Sequence, residues 1–300
     1  MKKIVLAVTS LLFIGLIWYL FIKSYDYTIR FEAKTHPGTI NQTLKLWDQT
    51  LDTVQKIKQE GSLYQLTQKV KFGDSLHSYE WNIKPLTDST SKVLVHIKDE
   101  NHSLKNKIQV PFSDTNFEKR SRKTVLDLME NLNDHISKFR VTIEGEADIP
   151  SKYVAYIPIK VTQFQKAGGM MKNASYIEQT LLKNQVQLDG LPMIEVTDWN
   201  RKSDSLAYNF CYPIIHSDKL PSNTDIKYKR IYKKKALKAI YNGNYITSDR
   251  AWYALLDYAN AKNIAVDATP VEVFFNNPNV GGDELNWKAE IYLPIKSDSK

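Results

Sequence analysis

Ala236-Leu237-Lys238-Ala239-Ile240-Tyr241-Asn242-Gly243-Asn244-Tyr245 reads as a strand running into a turn, and it opens the stretch on which the fold depends. An amphipathic helix follows from Thr247 or Ser248, with Trp252, Leu255, Leu256 and Ala259 at i, i+3, i+4 and i+7. A strand over 270–275 and a last strand over 287–295 complete the layout. The same order occurs earlier: a strand from Tyr153, a helix over 173–182, a strand over 192–198 and a strand over 205–214. The two copies end alike, Leu206-Ala207-Tyr208-Asn209-Phe210-Cys211-Tyr212-Pro213-Ile214 against Trp287-Lys288-Ala289-Glu290-Ile291-Tyr292-Leu293-Pro294-Ile295. Two copies of one α/β unit imply a pseudo-twofold domain with a cleft between the halves.

Outward from this repeat, Lys227 to Lys238 carries seven basic residues interleaved with Tyr228, Ile231, Tyr232, Ala236 and Leu237. The pattern suits an edge strand guarded by lysines, and no nucleic-acid partner is expected. The polar run 144–150, ending in proline, is read as the domain boundary, and Gly168-Gly169 as a turn.

Upstream, residues 25–35 alternate as a strand, and His36-Pro37-Gly38 breaks it. Leu44, Trp47, Leu51 and Val54 give helical spacing over 39–58. Strands are expected over 64–72, 78–85, 92–99 and 105–111. A long helix then starts from a capping box at Thr115 and Glu118, with Val125, Leu128, Leu132, Ile136 and Phe139 as its apolar stripe.

At the N-terminus, residues 4–22 form nineteen positions without a charge. At 1.5 Å per residue they span about 28 Å, close to the hydrocarbon thickness of a bilayer. Trp18 and Tyr19 sit where amphipathic aromatics prefer the interface, and no Ala-x-Ala-like cleavage site follows. The run reads as an uncleaved single-pass anchor. Lys2 and Lys3 favour an inside N-terminus with the soluble domains extracytoplasmic, although Lys23, Arg30 and Lys34 lie on the other flank. The net charge of +8 includes the three lysines bracketing this run, leaving +5 elsewhere. At 42% hydrophobic and 25% charged the rest is ordinary globular composition, which excludes a disordered chain and a multispan protein. Phosphate-loop, Gly-x-Ser-x-Gly and His-Glu-x-x-His motifs are absent, and His36, His77, His96, His102, His135 and His216 show no ligand spacing. One cysteine, Cys211, allows no internal disulfide, and neither a cofactor nor a metal is expected.

Two resemblances add to these readings. Tyr241-Asn242-Gly243-Asn244-Tyr245, the helix from Trp252 to Tyr258, Pro270-Val271-Glu272-Val273-Phe274 with Asn277-Pro278, and the closing strand from Trp287 to Ile295 resemble the GyrI-like effector-binding family. The resemblance covers about 152–296 and implies two SH2-like repeats around a ligand groove. It carries the family's pocket glutamate onto Glu290 and its Gly-x-Tyr aromatic onto Tyr245. Tyr241, Trp252, Phe274, Tyr208 and Trp199 are further candidate walls; Trp199 and Tyr208, like Phe210, suit core packing or exposure equally, and the helical stripe that holds Trp252 is more often simple core than a ligand wall. Tyr241 replaces a frequent histidine and Phe274 a frequent tyrosine, and Asn209 makes the pseudo-symmetric position of Glu290 neutral. The implied ligand is a lipophilic, cationic or aromatic small molecule, sensed or sequestered. If the chain is instead a hydrolase of an electrophile, Glu290 would be the general base with Tyr245 beside it; a third reading is an envelope interaction protein. Less specifically, residues 25–140 resemble the START-like (SRPBCC) helix-grip fold, which implies a sheet curled round the long helix and enclosing an apolar cavity. The expected architecture is α+β: an anchor over 1–24, a START-like domain over 25–146 and a GyrI-like domain over 150–297.

Overall fold

The computed structural model describes residues 2–87, 89–217, 220–222 and 224–296. The chain is α+β and divides into two compact units, Met1–Asp134 and His135–Lys300, each built on its own antiparallel sheet.

The first unit begins with α1 (Lys2–Ile17), which continues as a π-helical turn over Trp18–Ile22. Lys2–Ile22 is long and apolar enough to cross a membrane, and α1 buries no residue. Next come β1 (Tyr27–Ala33), α2 (Pro37–Asp48), β2 (Thr53–Gln59), β3 (Gln65–Phe72), β4 (Ser75–Thr87) and β5 (Thr90–Asp99). Helices α3 (Ser103–Gln109) and α4 (Asn116–Ser137) follow, and the division at Asp134 falls in the last turn of α4. The sheet order is β1-β5-β4-β3-β2.

Two elements differ from the sequence expectation. Helix α2 stops at Asp48, whose carboxylate accepts from the backbone N–H of Ile57 (2.9 Å) and the amide of Gln68 (2.8 Å). The polar end of α2 is thereby tied to the sheet, and 53–59 become strand β2. Residues 103–109 are helix α3, not a strand: Asp99 accepts from the N–H groups of Asn101 and His102 and holds the chain in a turn ahead of it. Helix α4 forms where its cap and stripe indicate. Thr115 Oγ1 accepts from Glu118 N (3.1 Å), while the Glu118 side chain goes to Arg122. Val125, Leu128 and Leu132 are buried. Tyr79 and Trp81 of β4 stack at 5.9 Å, and Trp47 meets Trp81 edge-on at 6.1 Å. The interior is thus filled by large rings. Polar residues line two of its clefts, one of about 350 Å³ along Gln55, Thr67, Lys69 and His96 and one of about 450 Å³ at His77, Asp99 and Arg120.

The second unit contains β6 (Phe139–Ile149), β7 (Lys152–Thr162), α5 (Lys166–Lys183), β8 (Met193–Asn200), β9 (Ser205–Pro213), β10 (Lys227–Ile231), β11 (Lys234–Gly243), α6 (Arg250–Lys262), β12 (Val271–Phe274) and β13 (Lys288–Pro294). Its sheet runs β10-β7-β9-β8-β12-β13-β11-β6. The order is palindromic about the β8–β12 contact. In each half the last strand lies between the first and the second, β9 between β7 and β8 and β13 between β11 and β12, with a helix after the first. Each copy is also one strand longer than its sequence suggests. β6 precedes β7 in the chain but pairs with β11, and β10 precedes β11 but pairs with β7. The two copies exchange their leading strands. Residues 144–150, expected as a linker, are therefore mostly part of a ladder. Lysine-rich β10 is an edge strand.

Two glycines are required by their surroundings. Gly243 lies at φ 146°, where a side chain would be strained and would meet the Tyr241 hydroxyl and the Phe139 Cβ. Gly169 lies inside α5, not in a turn, and a Cβ there would collide with the Tyr208 hydroxyl. That hydroxyl donates to the carbonyl of Lys166 (2.7 Å), so the strand-to-helix contact depends on a missing side chain.

Candidate functional site

Strand parity decides which side chains can meet. Helices α5 and α6 cover one face of the second sheet. On that face Glu272 of β12 lies opposite Ile194 and Ile291, and Phe274 opposite Ala289. Tyr208 reaches α5 through its hydroxyl, and Tyr241 reaches Thr247 ahead of α6 (2.7 Å). Trp252 projects from α6 and meets Trp199 edge-on at 5.0 Å. Tyr245 packs on Phe274 at 4.8 Å, donates to the Lys288 carbonyl (2.7 Å) and accepts from Asn276 N (3.0 Å). Six of the seven candidate residues, Tyr208, Tyr241, Tyr245, Trp252, Phe274 and Trp199, thus share the helix side of the sheet and are buried.

Glu290 is on the other side. It lies opposite Val273 and Ile240, and its neighbour in parity is Tyr292. Its carboxylate accepts from Lys288 (2.9 Å) and the Tyr292 hydroxyl (2.7 Å) and pairs with Lys238 (3.1 Å). Burial alone would raise the carboxyl, but hydrogen bonds from Tyr292, Lys288 and Lys238 outweigh it and hold it below the ordinary glutamate range. A base assisting water needs the opposite shift. Around it, Val154, Met193, Cys211, Val271 and Tyr292 form a buried apolar cluster.

A carboxylate that shares the aromatic face is Glu272, which the sequence reading passed over. Glu272 and Lys166 are both fully buried, with Lys166 Nζ 2.9 and 3.1 Å from the two carboxylate oxygens. Ser248 Oγ accepts from Lys166 (2.6 Å) and donates to Glu272 (2.7 Å). The Lys166 ammonium also lies 4.9 Å from the Trp252 ring centroid, where the ring's negative face attracts a cation. Lys166 stands at the start of α5 and Ser248 just before the start of α6, so their hydrogen bond joins the two halves. Only one half supplies the acid, because Ile194 occupies in the first copy the place of Glu272 in the second.

Beside this pair runs a second buried network. Gln163 accepts from Trp199 Nε1 (2.9 Å) and the Tyr253 hydroxyl (3.2 Å), and its amide donates to Asp249. Arg250 pairs with Asp249 (3.0 Å) and donates to His135 (3.1 Å). Two buried atoms here, Trp252 Nε1 and Asp249 Oδ1, have no hydrogen-bond partner. Each costs about 1–3 kcal/mol in a dry interior.

One signal for Glu272 was legible. A single glutamate within Val271-Glu272-Val273-Phe274 must, by alternation, share a face with Phe274. Its partner Lys166, 106 residues away, carried no local mark.

No known family description matches the sequence, and neither does any curated protein. Solved structures with similar folds include the C-terminal domain of EcmrR, at 18% identity over 53% of this chain and 98% of that one, TM-score 0.44. SAV2435 bound to tetraphenylphosphonium shares 12% identity over 53% of this chain and 94% of that one, TM-score 0.35. A hydrolase from Listeria innocua shares 13% over 51% and 92%, TM-score 0.33. At this level of likeness the folds assign neither ligand nor reaction. The START-like (SRPBCC) resemblance of the first half gains no support from these comparisons.

Proposed function

We propose that this is a membrane-anchored small-molecule-binding protein of the GyrI-like kind, whose second unit takes a lipophilic cation at Glu272. One observation carries the reading: a fully buried carboxylate on the aromatic face is neutralised by a single tethered ammonium, Lys166, held over Trp252. A carboxylate beside a ring face is the chemistry that recognises a planar or bulky cation. Lys166 is the internal occupant of that position. A ligand binds by displacing it, with the apparent affinity reduced by the fraction of molecules in which the lysine is in place. The unpartnered Trp252 Nε1 and Asp249 Oδ1 support a site that is completed by something other than its own side chains. The motif order from Gly243 to Pro294 supports the GyrI-like part of this reading, although the same resemblance carries the pocket glutamate onto Glu290 and not onto Glu272. Sensing or sequestration, without turnover, fits a chain whose other candidate acid, Glu290, is held as a paired carboxylate.

The test uses the full chain in one detergent, so that partition of the probe into micelles is common to all variants. Tetraphenylphosphonium is titrated and the shift in unfolding temperature read. Lys166→Met, which leaves the carboxylate without its cation, is expected to show a larger shift than wild type. Lys166→Met with Glu272→Leu is expected to show none. That double variant keeps the fold testable, because replacing a buried ion pair by apolar residues is often neutral or stabilising. Equal shifts in all three, or none in any, would remove the small-molecule reading and leave the filled core as a scaffold for a protein partner.

A further inference from the structure

Helix α3 is fastened to the end of the apolar N-terminal helix. Lys107, 4% exposed, donates from Nζ to the carbonyls of Leu20 and Lys23, and the Tyr19 hydroxyl donates to the Lys107 carbonyl (3.1 Å). The lysine thereby caps the carbonyls left open where the helix ends. On the flank of α3 next to this clamp, Leu104 and Ile108 stand one turn apart, 46% and 51% exposed, and Phe112 just beyond is 87% exposed. Leu104 shares a cleft of about 350 Å³ with Leu20, Phe21 and Ile22, so the exposed apolar surface of the anchor continues onto α3. Lys105 on the next flank is also exposed. A short amphipathic helix with a basic edge, fixed at the level where a span ends, has the form of an element lying in the interface plane.

We infer that the Leu104–Ile108–Phe112 face of the first unit is embedded in the headgroup–acyl boundary of the bilayer, so that this unit rides at a fixed height on the membrane. The inference rests on Lys2–Ile22 being a span. Twenty-one residues at 1.5 Å per residue reach about 31 Å, which brings Trp18 and Tyr19 to one interface and α3 beside them. Water alone would leave three large apolar side chains and the end of the anchor as one exposed patch, and the lipid surface is the partner whose chemistry matches both.

The experiment uses the full chain in vesicles of phosphatidylcholine and phosphatidylglycerol. The environment-sensitive dye NBD is attached at Phe112→Cys or Leu104→Cys, and at Phe13→Cys as a marker of the span. Native Cys211 is fully buried and stays silent. Quenching is read with nitroxides placed near the headgroups or at mid-chain, and with aqueous iodide. The expected result is mid-chain quenching at Phe13, headgroup-level quenching at Phe112 and Leu104, and at least a threefold loss of iodide quenching at both α3 sites relative to free dye. Quenching at Phe13 with full iodide access at both α3 sites would overturn the inference and leave the anchor standing. Full iodide access at Phe13 would overturn the anchor, and the inference with it.

Discussion

Glu290 and Glu272 are one strand apart in the same sheet, yet their chemistry differs because alternation sends them to opposite faces. Glu290 keeps partial access to water and is surrounded by Lys238, Lys288 and Tyr292, which together hold its carboxyl below the ordinary value of 4.5. A carboxyl depressed on folding contributes stability above its unfolded value, and that contribution is lost as pH falls through the folded value. Urea unfolding of wild type against Glu290→Gln should therefore show a constant gap at pH 6–7. The gap should begin to close once pH falls below about 4.5 and vanish at lower pH. A gap that widened on acidification would contradict the pairing. The same alternation was legible in β12, where Glu272 had to face with Phe274. What was not legible was Lys166, because an ion pair across 106 residues leaves no periodic trace. The resemblance drew attention to Glu290; the geometry puts the aromatic residues around Glu272.

The two segments that differ from the sequence expectation were each decided by a carboxylate just ahead of them, Asp99 before α3 and Asp48 before β2. Spacing of i, i+4 satisfies both a helix and a strand, so Leu104 and Ile108 suited either period, and Asp99 turning the chain decided for α3. Leu51 and Val54 extended the helical spacing past Asp48, but the tie from Asp48 to Ile57 made 53–59 a strand. The exchange of β6 and β10 is a long-range pairing, and nothing within either strand specifies it. Helix α5 gives a paired prediction. Gly168 has open space where a Cβ would go, whereas at Gly169 the Cβ would strike the Tyr208 hydroxyl. Gly168→Ala should stabilise by about 0.5–1 kcal/mol, from helix propensity alone. Gly169→Ala should destabilise by about 1–3 kcal/mol, because the strand must shift or give up its bond to the Lys166 carbonyl. Urea midpoints of the two variants check both signs, and a turn at these glycines would predict no such contrast.

If Lys2–Ile22 spans a membrane, as proposed, the basic residues at its two ends decide on which side the two units lie. The basic residues flank both ends of 4–22, yet they differ in surroundings. Lys2 and Lys3 are exposed at the start of α1, whereas Lys23 lies 4.8 and 4.4 Å from the ring centroids of Tyr19 and Tyr25. The single native thiol cannot report on topology, because Cys211 is fully buried and burial pushes its thiol far up from the ordinary range. Ser203 is exposed in the turn between β8 and β9, and a cysteine there is accessible without disturbing a strand. With Lys2 and Lys3 retained on the inside, Ser203→Cys should react with a membrane-impermeant maleimide in intact cells. The wild-type chain should stay unlabelled before and after lysis, which fixes the signal to the new site. Labelling of Ser203→Cys only after lysis would place both units in the cytoplasm. The lysines beyond the anchor would then have set the orientation, and any ligand of Glu272 would be drawn from the cell interior.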